Sequence, residues 1–382
     1  MRLIFWISAG LVGYVYAGYP LALALVSRWR RRTGRDERYC PTVALVIAAH
    51  DEEAVLREKL DNSLALEYPR DRLQVVVASD GSGDRTNAIA AEYAARGVVL
   101  HDIRPRGGKT RALNIAIPRT TGDILILSDA NAMYRPDAVR CLVRHFADPT
   151  VGAVSGDVRV VDSADTYAAS EGLYYRYERH LQQLESRLGS IIGADGGMYA
   201  LRRSAYSPVP DNVVVDDFVI SMNVACSGLR VIYDPEAVAI EHGTGTSREE
   251  FGRKVRIVAG GLQALGSGQG VPGLRDPWLL WSYVSHKVLR WLMPVVLMAV
   301  FVSSAAIANV HALYLGAFVA QAGFYAAALF RLARVPGFTG GRAAVPYYFC
   351  LVNGAALAGL WRATMRTQPA TWRRTTRLEH TR

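Results

Sequence analysis

Cysteine is scarce: the chain has four in 382 residues, at positions 40, 141, 226 and 350. None forms a Cys-x-x-Cys pair, which argues against a disulfide framework or a zinc knuckle and leaves a reducing compartment as the default. Gly-x-Gly-x-x-Gly is missing, which disfavours a dinucleotide oxidoreductase. The Walker A spacing is missing too, so the lysine loop described below is not a P-loop. Low-complexity sequence is also absent. With 51% hydrophobic and 20% charged residues, the chain is no disordered polymer. Lys and Arg number 44 against 34 Asp and Glu, a net charge of +10. No aromatic-interleaved basic groove accompanies that excess, so nucleic acid is not the expected partner. Mean hydropathy is +0.10, high for a soluble enzyme and low for a pure transporter. A part-soluble, part-embedded protein fits it better.

The apolar residues gather at the two ends. Residues 3–26 form a run without charge, long enough to cross a bilayer, with Trp6, Tyr14, Tyr16 and Tyr19 as interfacial anchors. Arg28, Arg30, Arg31 and Arg32 follow it. A secretory signal places its basic cluster before the apolar run, so this order predicts an uncleaved anchor whose C-terminal flank stays in the cytoplasm. Three more stretches lie near residues 291–310, 313–330 and 344–361. Before them, Trp278, Trp281, Tyr283, His286, Lys287 and Arg290 mix aromatic with basic character, which predicts a helix lying in the interface. The basic tail (Arg362, Arg366, Arg373, Arg374, Arg377 and Arg382) belongs inside. One anchor plus three full spans would put it outside, so either the last stretch stops short or the interfacial segment crosses. Much of the positive charge thus flanks membrane segments and suits anionic headgroups.

Between these ends, strand-like and helix-like patterns alternate. Residues 43–49 (VALVIAA) and 74–78 (QVVVA) are continuous apolar runs, as expected of strands covered on both faces. Residues 98–101 and 123–127 (DILIL) add two more. Helical patterns fill 53–64 and the stretch up to 95. Repeated β-loop-α units predict an α/β fold with a mostly parallel sheet and flanking helices. Ligands bind beyond the carboxyl ends of such strands. Three successive strands end in acidic residues there: Asp51-Glu52-Glu53, Ser79-Asp80-Gly81-Ser82-Gly83-Asp84, and Asp129-Ala130-Asn131. Each alone suits an N-cap or turn; three on one sheet edge point to a site.

Arg104-Pro105-Arg106-Gly107-Gly108-Lys109 lies between them. Its glycines let backbone approach a ligand, and Lys109 before a helix suits a phosphate. Asp129-x-Asn131 places two short oxygen side chains at a strand end, a layout for a hard divalent cation completed by substrate phosphates. Acidic and basic groups together on one edge fit a nucleotide-diphosphate substrate. Farther on come Gly193-Ala194-Asp195-Gly196-Gly197 and then Val215-Asp216-Asp217-Phe218 at a helix start. Carboxylates there complement the helix dipole, and one beside other negative groups can be tuned as a general base. Arg253 and Arg256 share one face of a helical pattern over 248–265, either as a solvated basic face or closing over a pyrophosphate.

The motifs AAHDEE, SDGSGDRT, RGGKTRALN, LSDANAMY, GADGGMYALRR, VDDFVISM and EEFGRKVR, in that order, resemble the membrane-bound branch of glycosyltransferase family 2, in the cellulose synthase superfamily. The resemblance covers residues 40–270. It implies a GT-A fold (Rossmann-like, mostly parallel sheet with flanking helices) between N-terminal and C-terminal transmembrane helices. It implies a nucleotide-diphosphate sugar donor, commonly a UDP-sugar, and inverting transfer to a hydroxyl of a glycan or lipid-linked acceptor. Glu53, Asp80, Lys109 and Asp129 map to donor binding. Asp129 and Asn131 map to Mg²⁺ or Mn²⁺, with His242 as a further ligand. Asp195, Asp216, Arg253 and Arg256 map to the acceptor and diphosphate side, and Asp217 maps to the catalytic base. Three departures stand out. Asn131 replaces the second Asp of the metal motif, Asp216 replaces a Glu, and the Gln-x-x-Arg-Trp motif lacks its Gln and Trp, which leaves processive and single transfer both open. The implied organisation is an anchor with basic stop at 1–32, a cytoplasmic catalytic domain at 40–270, an interfacial helix at 275–292, spans over 291–362 and a basic tail at 363–382. The setting would be a multi-pass protein of the plasma (inner) membrane, among membrane lipids and partners of a polysaccharide export system. A nucleotidyltransferase on a similar sheet and a non-catalytic membrane scaffold are the competing readings.

Overall fold

The computed structural model describes residues 1–29, 34–161, 168–242, 246–338 and 341–369. The arginines at 30–32 and the tail from residue 370 lie outside the described residues, as does the side chain of His242. The helices are α1 (Arg2–Val26), α2 (Leu56–Leu64), α3 (Thr86–Glu92), α4 (Lys109–Ala116), α5 (Ala138–Val143), α6 (Ala168–Leu188), α7 (Asp216–Cys226), α8 (Ser247–Gly266), α9 (Pro277–Ala306), α10 (Ala312–Leu332) and α11 (Gly341–Thr364). The strands are β1 (Val43–Ala49), β2 (Leu73–Asp80), β3 (Val98–Ile103), β4 (Ile124–Asp129), β5 (Met133–Tyr134), β6 (Val151–Val161), β7 (Met198–Arg202) and β8 (Arg230–His242).

The strands form one sheet in the order β3-β2-β1-β4-β7-β6-β8-β5. The four strands expected from the apolar runs pair in parallel. Every residue of β1 is buried, which explains its unbroken apolar sequence. Past β4 the sheet turns mixed: β7 runs antiparallel to both β4 and β6, while β6 and β8 run parallel. One core, with Leu45, Ile47 and Leu60, covers one face. The other, with Val46, Leu125 and Val219, covers the opposite face.

Four helices (α1, α9, α10 and α11) are long and apolar enough to cross a membrane. Outward-facing Leu3, Ile7, Val302, Val319 and Leu329 are exposed on them, as lipid-facing residues are. Residues 275–292 were expected as a separate interfacial helix. Instead Pro277 to Ala306 is one helix of 30 residues, passing through a π-turn at Val284–Val288 without a break. Asp276 caps its start through the Leu279 N–H, and no glycine or internal proline interrupts it before Pro294. The basic residues of this segment turn inward, toward α6.

Candidate functional site

β1 and β4 bring their acidic ends to one edge because they are adjacent and in register. After β1 the backbone kinks at Asp51, whose φ of 53° lies in the left-handed region. That kink sends consecutive side chains different ways. Glu52 lines the cavity, whereas Glu53 is exposed and accepts from the Arg85 N–H at 3.1 Å. Asp80, fully buried at the end of β2, accepts the N–H groups of Gly107 and Gly108, each at 2.8 Å. The lysine loop is thus fastened to Asp80, and Gly108, at φ 101°, makes the turn into α4.

Lys109, the first residue of α4, reaches Asp129 Oδ1 at 2.7 Å and Asp216 Oδ2 at 3.6 Å. Three elements (α4, β4 and α7) therefore meet at one ammonium. Asp195 is held by its backbone on the Ser155 hydroxyl at 3.0 Å and accepts from the Gly197 N–H at 3.1 Å. Gly196 passes so close to Asp217 that a Cβ there would lie 2.9 Å from Asp217 Oδ2. Asp217 stands in the first turn of α7, where the helix dipole favours an anion.

These groups share a cavity of about 1630 Å³, lined by Lys109, Asp129, Asn131, Asp195, Asp216 and Asp217. Arg253 and Arg256 line it from α8. Arg253 is bound to Glu250 at 2.9 Å. Glu53 and Asp80 do not line the cavity, and His242 is placed only as the last residue of β8. Sequence reasoning missed Glu241, which precedes it and faces the cavity beside Gly197. It also missed Lys59, a fully buried lysine that donates to the Ala132 carbonyl beneath the Asp129–Asn131 turn and sits 3.8 Å from the centre of the Tyr134 ring. A lysine within the helical pattern of 53–64 gave no signal of that burial.

Burial pushes the Asp216 carboxyl up to about 6, helped by Asp217 and opposed by Lys109. Burial raises Asp217 and Asp195 as well. For Lys109 burial works against the charge, but Asp129, Asp216 and Asp217 outweigh it and hold the ammonium above its ordinary value. A carboxyl with raised pKa beside an open cavity is suited to accept a proton.

Among the described residues there is no group of three or more His, Cys, Asp or Glu arranged for a metal. Asp129 and Asn131 nonetheless present two oxygen donors to the cavity. Asp216 Oδ2 is a buried oxygen without a hydrogen bond, and an ammonium already occupies their common ground. This donor set fits a hard cation whose remaining positions are filled by water and substrate phosphates.

Residues 44–209 match the profile of glycosyl transferase family 2. The chain is 29% identical over 231 residues to the beta-monoglucosyldiacylglycerol synthase of Synechocystis, covering 58% of this chain and 48% of that one. It is 23% identical over 229 residues to the poly-beta-1,6-N-acetyl-D-glucosamine synthase of Staphylococcus aureus, covering 58% and 55%. The matches thus span about half the length of these curated relatives. In structure it is similar to a mannosyltransferase from Pyrobaculum calidifontis in complex with GDP-Man and Mn²⁺, with a TM-score of 0.74 and 24% identity over 95% of this chain and 99% of that one.

Proposed function

We propose that this chain, whose residues 44–209 match the profile of glycosyl transferase family 2, moves a sugar from a nucleotide-diphosphate donor, with inversion, to a hydroxyl of a glycan or lipid-linked acceptor at a membrane. The observation that carries this reading is the convergence of Lys109, Asp129, Asp195, Asp216 and Asp217, from distant parts of the sequence, on one cavity.

Asp217 takes the acceptor proton as the hydroxyl oxygen attacks the anomeric carbon. The raised pKa of the carboxyl supports that role. Lys109, with Arg256 across the cavity, offsets the charge of the departing diphosphate. Asp129 and Asn131 would hold Mg²⁺ or Mn²⁺, which when bound neutralises the diphosphate oxygens. Asp195 is fixed beside Gly197 on the acceptor side of the cavity, and Asp216 keeps Lys109 in place. No covalent sugar–enzyme intermediate is required, because one base and a stabilised leaving group suffice for a single displacement.

The test uses the full chain in detergent with labelled UDP-glucose, UDP-N-acetylglucosamine and GDP-mannose, with a membrane lipid extract as acceptor source. Release of nucleoside diphosphate that stops in EDTA is expected. Pyrophosphate release instead indicates a nucleotidyltransferase, and failure to bind any of the donors indicates a scaffold. The catalytic unit faces the cytoplasm, a reading supported by Arg28 after the first apolar helix. Cys226 is exposed, so an impermeant maleimide should label it in inverted but not in right-side-out inner-membrane vesicles. The opposite pattern refutes the orientation.

A further inference from the structure

The cavity is larger than a nucleotide sugar needs. At about 1630 Å³ it exceeds the roughly 300–1,000 Å³ of ordinary small-ligand pockets. Nor does it end at the catalytic helix. From Asp129 and Asp217 it continues to Lys287 and Arg290 of α9 and to Phe349 and Val352 of α11. The two ends are in contact: Phe218, next to Asp217, packs on Tyr283 at 6.0 Å and on Trp291 at 6.1 Å between ring centres. The far end thus lies between two helices long and apolar enough to cross a membrane.

That end holds more positive than negative charge. Glu178 and Glu185 flank His286, with Glu185 Oε1 at 2.6 Å from Nδ1 and Glu178 Oε2 at 3.0 Å from Nε2. Both ring nitrogens face carboxylate oxygens. Arg290 is bonded to Glu178. Arg253 and Lys254 share Glu250 at 2.9 and 3.6 Å. Lys287 has no hydrogen bond or ion pair among the described residues, although it lines the cavity. Set side by side, Arg253, Lys254, Lys287 and Arg290 gather with Glu178, Glu185 and Glu250 around His286, four cationic side chains to three carboxylates, with Lys287 in none of these ion pairs. Uncompensated charge in apolar surroundings is costly, and an anion relieves it.

The wall beside this surplus is apolar. Val345, Phe349, Val352 and Ala356 line the cavity at helical spacing, so they form one stripe along α11. Cationic groups at one level and an apolar stripe running from it match an amphiphile with an anionic head.

We propose that this end of the cavity is the acceptor subsite and that its occupant is a membrane lipid with a phosphate-bearing headgroup. The phosphate sits at Lys287, the chain lies along the α11 stripe, and a headgroup hydroxyl reaches Asp217. This deepens the transferase reading and rests on it. In the transfer, the headgroup oxygen bonds to the anomeric carbon and its proton passes to Asp217. The bond from that carbon to the diphosphate oxygen breaks, and its electron pair leaves with the nucleoside diphosphate.

The test measures saturable binding of labelled dodecyl phosphate to the full chain in dodecyl maltoside, against dodecanol and inorganic phosphate. Dodecyl phosphate should bind about tenfold or more tightly than either, as expected for a charge pair formed away from water. Lys287→Met should lose that advantage and Lys287→Arg should regain most of it. Val352→Trp, which fills the slot without touching charge, should also weaken binding. Nucleotide-sugar affinity, read on the same samples, should be the same in all of them. Equal binding of dodecyl phosphate and dodecanol, equal binding of inorganic phosphate, or an unaffected Lys287→Met overturns the proposal. Intact lipid binding without any donor binding instead removes the transferase reading and leaves the lipid site standing.

Discussion

Replacing Asp216 by Asn tests the electrostatics of the site without removing Asp217, the proposed base. Asp216 is buried, with one oxygen near Lys109 and lacking a hydrogen bond. Its carboxyl is lifted from 3.8 to about 6, which corresponds to about 3 kcal/mol. The native state therefore holds this proton more tightly than the unfolded chain does. The stabilisation is complete below the unfolded value and is lost as pH rises through about 6. An amide in its place does not titrate and cannot follow that loss. Relative to the wild type, Asp216→Asn should gain about 2 kcal/mol between pH 4 and pH 7, equivalent to a few degrees of melting temperature for a chain of this size. Thermal unfolding of the full chain in dodecyl maltoside and EDTA, followed by tryptophan fluorescence at both pH values, reads the difference. A stability gap that does not change with pH refutes the reasoning.

Two other substitutions probe the walls of the cavity. Gly196→Ala sets a methyl 2.9 Å from Asp217 Oδ2 and must displace that side chain, so if Asp217 is the base proposed above, turnover should fall about a hundredfold with donor binding kept; unchanged turnover refutes the prediction. Asp80→Ala strands the N–H groups of Gly107 and Gly108 and loosens the lysine loop, so the donor KM should rise about tenfold or more, which initial-rate kinetics over a range of donor concentrations measures.

Legibility in the sequence followed burial. β1, β2 and β4 were readable because parallel strands covered on both faces need unbroken apolar runs, and their ends then located the acidic edge. The mixed half of the sheet was not readable. β6 pairs with β8 through two register shifts, and β7 slots between β4 and β6 from far along the chain. Glu241 belongs to that half and went unnoticed with it. Asp51, Glu52 and Glu53 offered three equivalent carboxylates, and only the left-handed turn at Asp51 decides that Glu52 faces inward. Glu178 and Glu185 were not singled out from the sequence. They become a buried network because α9 carries His286 and Arg290 against them. Aromatic and basic residues mixed before an apolar run read equally well as an interfacial helix, since composition does not reveal which partner a lysine or histidine meets.

The central claim is that Asp217 accepts the proton in a sugar transfer fed by the surrounding donor site. Nucleoside diphosphate release by Asp217→Asn, measured beside its donor affinity, tests that claim most directly. Turnover should drop about a thousandfold with donor affinity unchanged, the scale of a lost general base; turnover within a few-fold of the wild type contradicts it.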